Sequence, residues 1–134
     1  MARLPDVLAT SLSVGLAAAG VLHLARPRVF ESLIPPALGS PRPWVVGSGV
    51  AELACAAAVA VPTTRRAGGY ATAALFVGVF PGNVQMALNS RENARHWSQN
   101  RAIAWGRLPG QVPLVLWALR VARTAPARTT AVGA

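Results

Sequence analysis

Apolar residues gather in four long runs along the chain, and the strongly polar positions fall mostly between them. The runs cover about residues 7–24, 44–61, 68–88 and 102–121. Each is long enough for a helix to cross the hydrocarbon core of a bilayer. The pattern predicts an all-α protein with four transmembrane spans. Loops of about four to twenty residues make successive spans antiparallel neighbours, hence a four-helix bundle. Residues 1–122 then form one membrane domain. Residues 123–134, basic, small and proline-containing, read as a disordered tail.

The connecting segments add detail. Val29, Phe30, Leu33 and Ile34 share one helical face, with Glu31 and Ser32 off it. This predicts a short interfacial helix between spans one and two, stopped by Pro35 and Pro36. Small residues recur every four positions at Ser11, Gly15 and Ala19, at Gly47, Ala51 and Cys55, and at Gly78 and Gly82. Such stripes let membrane helices approach closely. Pro81 removes one backbone hydrogen bond and should bend the third span. Ala17-Ala18-Ala19-Gly20 also resembles a signal-peptide cleavage site. The first run is long for that role, its head carries one arginine, and three further apolar runs follow, so it is read as a retained span.

Composition agrees with a membrane protein. Hydrophobic residues make up 53% of the chain and charged ones 13%, with a mean hydropathy of +0.41. The net charge of +9 comes from arginine alone against four acids. A nucleic-acid surface would gather such charge on one patch. Here the arginines are spread between the apolar runs, as around membrane spans. Six flank one side and seven the other, so the positive-inside rule sets no orientation. Cys55 is the only cysteine, which excludes an intrachain disulfide and a dithiol pair. His23 and His96 are too few for a histidine-based metal cluster.

One acid lies deep in a span. Glu52 sits about eight residues into the second run, roughly 12 Å at 1.5 Å per residue. An ionisable side chain there faces protein rather than lipid and is a site hypothesis by default. His23 ends the first span, Asn83 and Gln85 lie near the same end of the third, and Arg107 and Gln111 near the same end of the fourth. The intramembrane polar groups of all four helices thus fall in one half of the bilayer, with Trp44, Trp97 and Trp105 marking its boundary. They are either a network that fixes the bundle or a pocket open to one side, for a small molecule or a proton.

These pieces carry a resemblance. Gly20-Val-Leu-His23-Leu with Arg26, Pro27 and Phe30, then Ile34-Pro35-Pro36, then Ser48-Gly-Val-Ala-Glu52-Leu, stand in order. Phe80-Pro-Gly-Asn83-Val with Met86-Ala87, and Arg107-Leu-Pro109 with Gln111 and Trp117, follow. Over about residues 7–122 the chain resembles the DoxX-like family of small four-span membrane proteins. The resemblance implies a multi-pass protein of the cell membrane, with both termini cytoplasmic and the pocket facing outward. The family takes its name from a subunit linked to quinone-dependent sulfur oxidation, and other relatives look like accessory partners of larger membrane complexes. The expected role is an accessory or small-molecule-binding subunit, with the bilayer, a membrane complex or a second copy as partner. A quinone-linked oxidoreductase subunit is the alternative and a small transporter a weaker third. No nucleotide, metal, haem or dithiol motif stands behind chemistry by the protein itself, and quinone is a cofactor candidate without a motif.

Overall fold

The computed structural model describes residues 1–92 and 94–127, with only the backbone of Ser98. Its helices, in chain order, are α1 (Leu4–Ala25), α2 (Arg28–Glu31), α3 (Pro41–Ala60), α4 (Arg65–Gly78), α5 (Phe80–Asn89) and α6 (Arg101–Arg123). Single 3-10 turns lie at Pro36–Leu38 and Trp97–Gln99. The described residues contain no strand, only an isolated bridge between Arg91 and Asn100 that closes the loop before α6.

Proline sets several of the boundaries. It stands in the first turn of α1, α3 and α5. There the missing N–H is one that a helix leaves unpaired anyway. For that reason α1 and α3 each begin three residues earlier than the apolar runs. The interfacial helix expected over 29–34 is shorter, a single turn of α2 followed by bends and the 3-10 turn. Asn100 caps α6, its side-chain oxygen accepting from the Ile103 N–H at 3.2 Å.

The third run is two helices rather than one bent helix. α4 stops at Gly78, Val79 turns, and α5 restarts at Phe80. Pro81 cannot donate to the preceding turn, so the ladder breaks there. Three segments are long and apolar enough to cross a membrane: Leu4–Ala25, Pro41–Ala60 and Arg65–Asn89. α6 matches them in length, with 23 residues, but not in apolarity. Much of the outer surface is apolar, with Val14, Val21, Val50, Val77, Leu88, Val112 and Leu116 more than half exposed. So much uncovered hydrocarbon is the mark of a surface that meets lipid or another protein.

α1 packs along α3, α4 packs along both α3 and α6, and α1 touches α6 only sparsely. Glycines make the tight seams. A Cβ on Gly20 would lie 2.8 Å from the Gly49 carbonyl oxygen. One on Gly68 would meet Ala58, and one on Gly69 would meet Ala122, both at under 3 Å. Of the four-residue stripes, Gly15, Gly47 and Gly78 have open space where a Cβ would stand, while Cys55 is in the core and a Cβ on Gly82 would lie 3.3 Å from the Leu33 carbonyl oxygen. Two apolar cores result. One holds Ala9, Leu12 and Leu16 with Cys55, Val59, Ala73, Ala118 and Val121. The other holds Met86, Ala87 and Ala104, with Leu33, Trp97 and Leu108 against them.

Residues 123–125, read as the start of a disordered tail, belong to the packed end of α6. Arg123 closes α6, the Thr124 hydroxyl donates to the Arg120 carbonyl at 2.8 Å, and Ala125 is buried. Residues 128–134 lie outside the described residues.

Candidate functional site

Between the two cores runs a polar layer. Along α6 the order is Ala104, then Arg107 and Gln111, then Ala118. Along α3 it is Val45, then Glu52, then Cys55. One helical turn of polar residues is thus set between apolar turns on each element. The layer is where the spans meet.

At its centre Glu52 is 9% exposed. Its Oε2 lies 2.9 Å from His23 Nδ1. The same ring nitrogen lies 2.7 Å from the Ala19 carbonyl oxygen, one turn back on α1. Two acceptors at one nitrogen mean that Nδ1 carries its hydrogen. A single hydrogen cannot be aimed at both, and Glu52 Oε2 is left buried without a properly directed hydrogen bond. The Phe30 ring from α2 stacks on His23 at 4.0 Å between centroids, and Trp97 meets Phe30 edge-on at 6.0 Å. The Arg107 guanidinium stands over the Trp97 ring at 5.8 Å. The loop before α6 and the single turn of α2 therefore form an aromatic wall over the polar layer.

The amides face this layer from the other side. Asn83 donates to Gln111 Oε1 at 2.9 Å. Gln111 in turn donates its Nε2 to the Phe76 carbonyl oxygen on α4. That carbonyl lies just before the α4–α5 break, so a side chain of α6 serves a backbone acceptor there.

Two cavities meet at the layer. One, of about 190 Å³, lies beneath α2 and its following turns and is lined by Leu33, Ile34, Pro35, Trp44, Ser48 and Pro81 among others. The second, of about 420 Å³, lies between α1 and α6 and is lined by Ser11, Gly15, Ala19, Leu114 and Trp117 among others. His23, Phe30, Glu52, Val79, Asn83 and Arg107 line both and form a polar waist between the two chambers. The larger volume falls within the ~300–1,000 Å³ of small-molecule sites.

Of the six residues singled out in the sequence, His23, Glu52, Asn83 and Arg107 are at the waist, and Gln111 lines the larger chamber. Gln85 is not with them. It donates to Asn89 Oδ1 at 3.1 Å and lines neither chamber. Two positions on from Asn83 is about 200° round the helix, which points it away. Phe30, Trp97 and Trp117 were not singled out as site residues: Trp97 reads as a boundary marker, Phe30 as part of the apolar face of an interfacial helix, and Trp117 lies within the fourth apolar run. Among the described residues, no group of three or more potential ligands could hold a metal ion.

A family model described as "domain of unknown function (DUF8561)" matches residues 12–122, which include every residue of the waist. No curated protein and no solved structure matches the chain.

Proposed function

The chain belongs to the DUF8561 family, and we propose that it is a four-span integral membrane protein whose two-chambered pocket binds a small amphipathic molecule. In this reading it serves the cell membrane as a binding or accessory subunit, and the resemblance to DoxX-like proteins points the same way. The observation that carries it is the waist, where His23, Glu52, Asn83 and Arg107 come from four different spans to one pair of cavities. A network built only to fix the bundle would close on itself. This one leaves a carboxylate oxygen without a well-directed hydrogen bond and borders open volume.

α6 serves as the fourth span. Its lower hydropathy comes partly from Arg107 and Gln111, which line the pocket, and from Arg101, Arg120 and Arg123 at its ends, where arginines reach headgroups. Both termini are cytoplasmic, with the waist nearer the outer face.

A quinone-linked oxidoreductase subunit is the second reading. The His23–Glu52 pair beside the Phe30 ring supports it, since a ring-shaped ligand there would find both a stacking partner and a proton relay. Turnover of a quinol by the purified protein with an electron acceptor would favour it.

The decisive variant is Glu52→Gln, which keeps shape and most hydrogen bonding. It should fold, with thermal stability in detergent close to the parent, and fail to complement a deletion strain. Full complementation by a normally folded Glu52→Gln protein would remove the pocket's central residue and leave a structural network.

A further inference from the structure

Among the described residues, no acid is paired with the permanent cation of the waist, Arg107. The four acids of the chain are Asp6, Glu31, Glu52 and Glu92. Each already lies 2.9 Å from a basic side chain, Arg65, Arg42, His23 and Arg101 respectively. Arg107 is paired with none of them, and its one described close contact is the face of Trp97. A guanidinium does not shed its proton, and Arg107 is exposed where it lines the chambers, so it presents a permanent positive charge to whatever fills them. At the same waist, Glu52 Oε2 is buried and lacks a directed donor. The site is therefore short of an anion or acceptor at Arg107 and of an O–H at Glu52.

The larger chamber shows from where such a group would come. Its mouth lies between α1 and α6, the one pair of neighbouring long helices that touch only sparsely. Ser11 and Gly15 on one side and Leu114 on the other are exposed and stand at mid-span. From Ser11 to Ala19 the groove follows α1 for about 12 Å. In the four-span reading, a mouth at this depth faces the hydrocarbon of the bilayer, not water.

Resting on the pocket reading above, we propose that the ligand is a single-chain lipid-like oxyacid that enters sideways from the bilayer between α1 and α6. Its acid head sits at the waist, with acceptor oxygens on the Arg107 guanidinium and any O–H directed at Glu52. Its chain lies in the groove past Ala19, Gly15 and Ser11, against Leu114 and Trp117. The missing side chain at Gly15 is what keeps that groove open.

The test uses the full-length protein in nanodiscs of phosphatidylcholine, with a diazirine-bearing dodecanoic acid as photoprobe and mass spectrometry of the labelled peptides. Saturable labelling is expected in 11–22 of α1 and 107–117 of α6. Dodecanoic acid should compete and dodecylamine should not. Arg107→Gln should weaken the competition about tenfold, the loss of one charge-assisted hydrogen bond. Gly15→Leu should block labelling of the groove while thermal stability stays at or above the parent's, since the added side chain meets open space. Equal competition by dodecylamine, or an unchanged Arg107→Gln variant, would overturn the oxyacid head while saturable labelling at the waist still upheld a pocket. Unsaturable labelling spread evenly over the outer faces would overturn the lateral mouth. Complementation by Glu52→Gln judges the pocket reading itself, independently of any of these results.

Discussion

Two glycines five residues apart on α1 have opposite surroundings. Gly20 is buried against α3, where a Cβ would lie 2.8 Å from both the Gly49 carbonyl oxygen and Leu53 Cγ. Gly15 has nothing within 4 Å of that position. Gly20→Ala should therefore push α1 off α3 and lower stability by about 1–3 kcal/mol, the usual cost of overpacking. Gly15→Ala should be neutral or stabilise by up to about 1 kcal/mol through helix propensity. Thermal unfolding of the two variants in one detergent checks the contrast, and equal losses would show that the seam is not where the backbones meet. The sequence could not make this distinction. The repeat of small residues picked out Gly15 with Ser11 and Ala19 and passed over Gly20, which stands between Leu16 and Leu24 on its own face, and only the packing tells which glycine meets a helix. Depth was legible where direction was not: counting residues brought Glu52, His23, Asn83, Arg107 and Gln111 to one level, yet also took in Gln85, which lies at the right depth on the wrong side of α5.

Helix ends obey a different logic. The last carbonyls of α3 have no partners within their own helix. Arg65, at the start of α4, donates Nε to the Val59 carbonyl at 2.9 Å and Nη2 to that of Ala60 at 3.4 Å, while the Thr64 hydroxyl takes that of Ala58 at 2.8 Å. The same guanidinium reaches across to Asp6 on α1 at 2.9 Å. One side chain thus ties three helices at the end of the bundle opposite the waist. Arg65→Met should cost about 2 kcal/mol, mostly from the abandoned carbonyls. The Asp6 carboxylate is half exposed and water screens its share. Arg66→Met, at an exposed position beside it, should be nearly silent, and matching losses for the two would contradict a specific clasp. From sequence this pair of arginines read as a charged loop. Proline misled in the same way, because its stop signal is strong in the middle of a helix and absent in the first turn, so Pro5, Pro41 and Pro43 lie inside helices that the apolar pattern started later. At Pro81 the third run is broken outright, whereas Pro109 and Pro113 stand inside α6 without ending it.

At the scale of the whole molecule, topology is open to a direct test. With Cys55→Ala as background, single cysteines at Thr63 and Arg95 should label from opposite sides of intact cells, Arg95 from outside, and alkaline carbonate should leave the protein in the membrane pellet. Labelling of both from one side would refute an odd number of crossings between them. The arrangement of seams has a further consequence. α1 and α3 are locked at Gly20 and Gly49, α4 and α6 at Gly69 and Ala122, and the two pairs join where Gly68 meets Ala58. Three seams are shut and the fourth, between α1 and α6, is slack. Mechanically this is a clamp, with α1 and α6 as jaws and the α3–α4 seam as its pivot. A molecule that prised the jaws apart would therefore load the pivot, where a side chain at Gly68 would have no clearance.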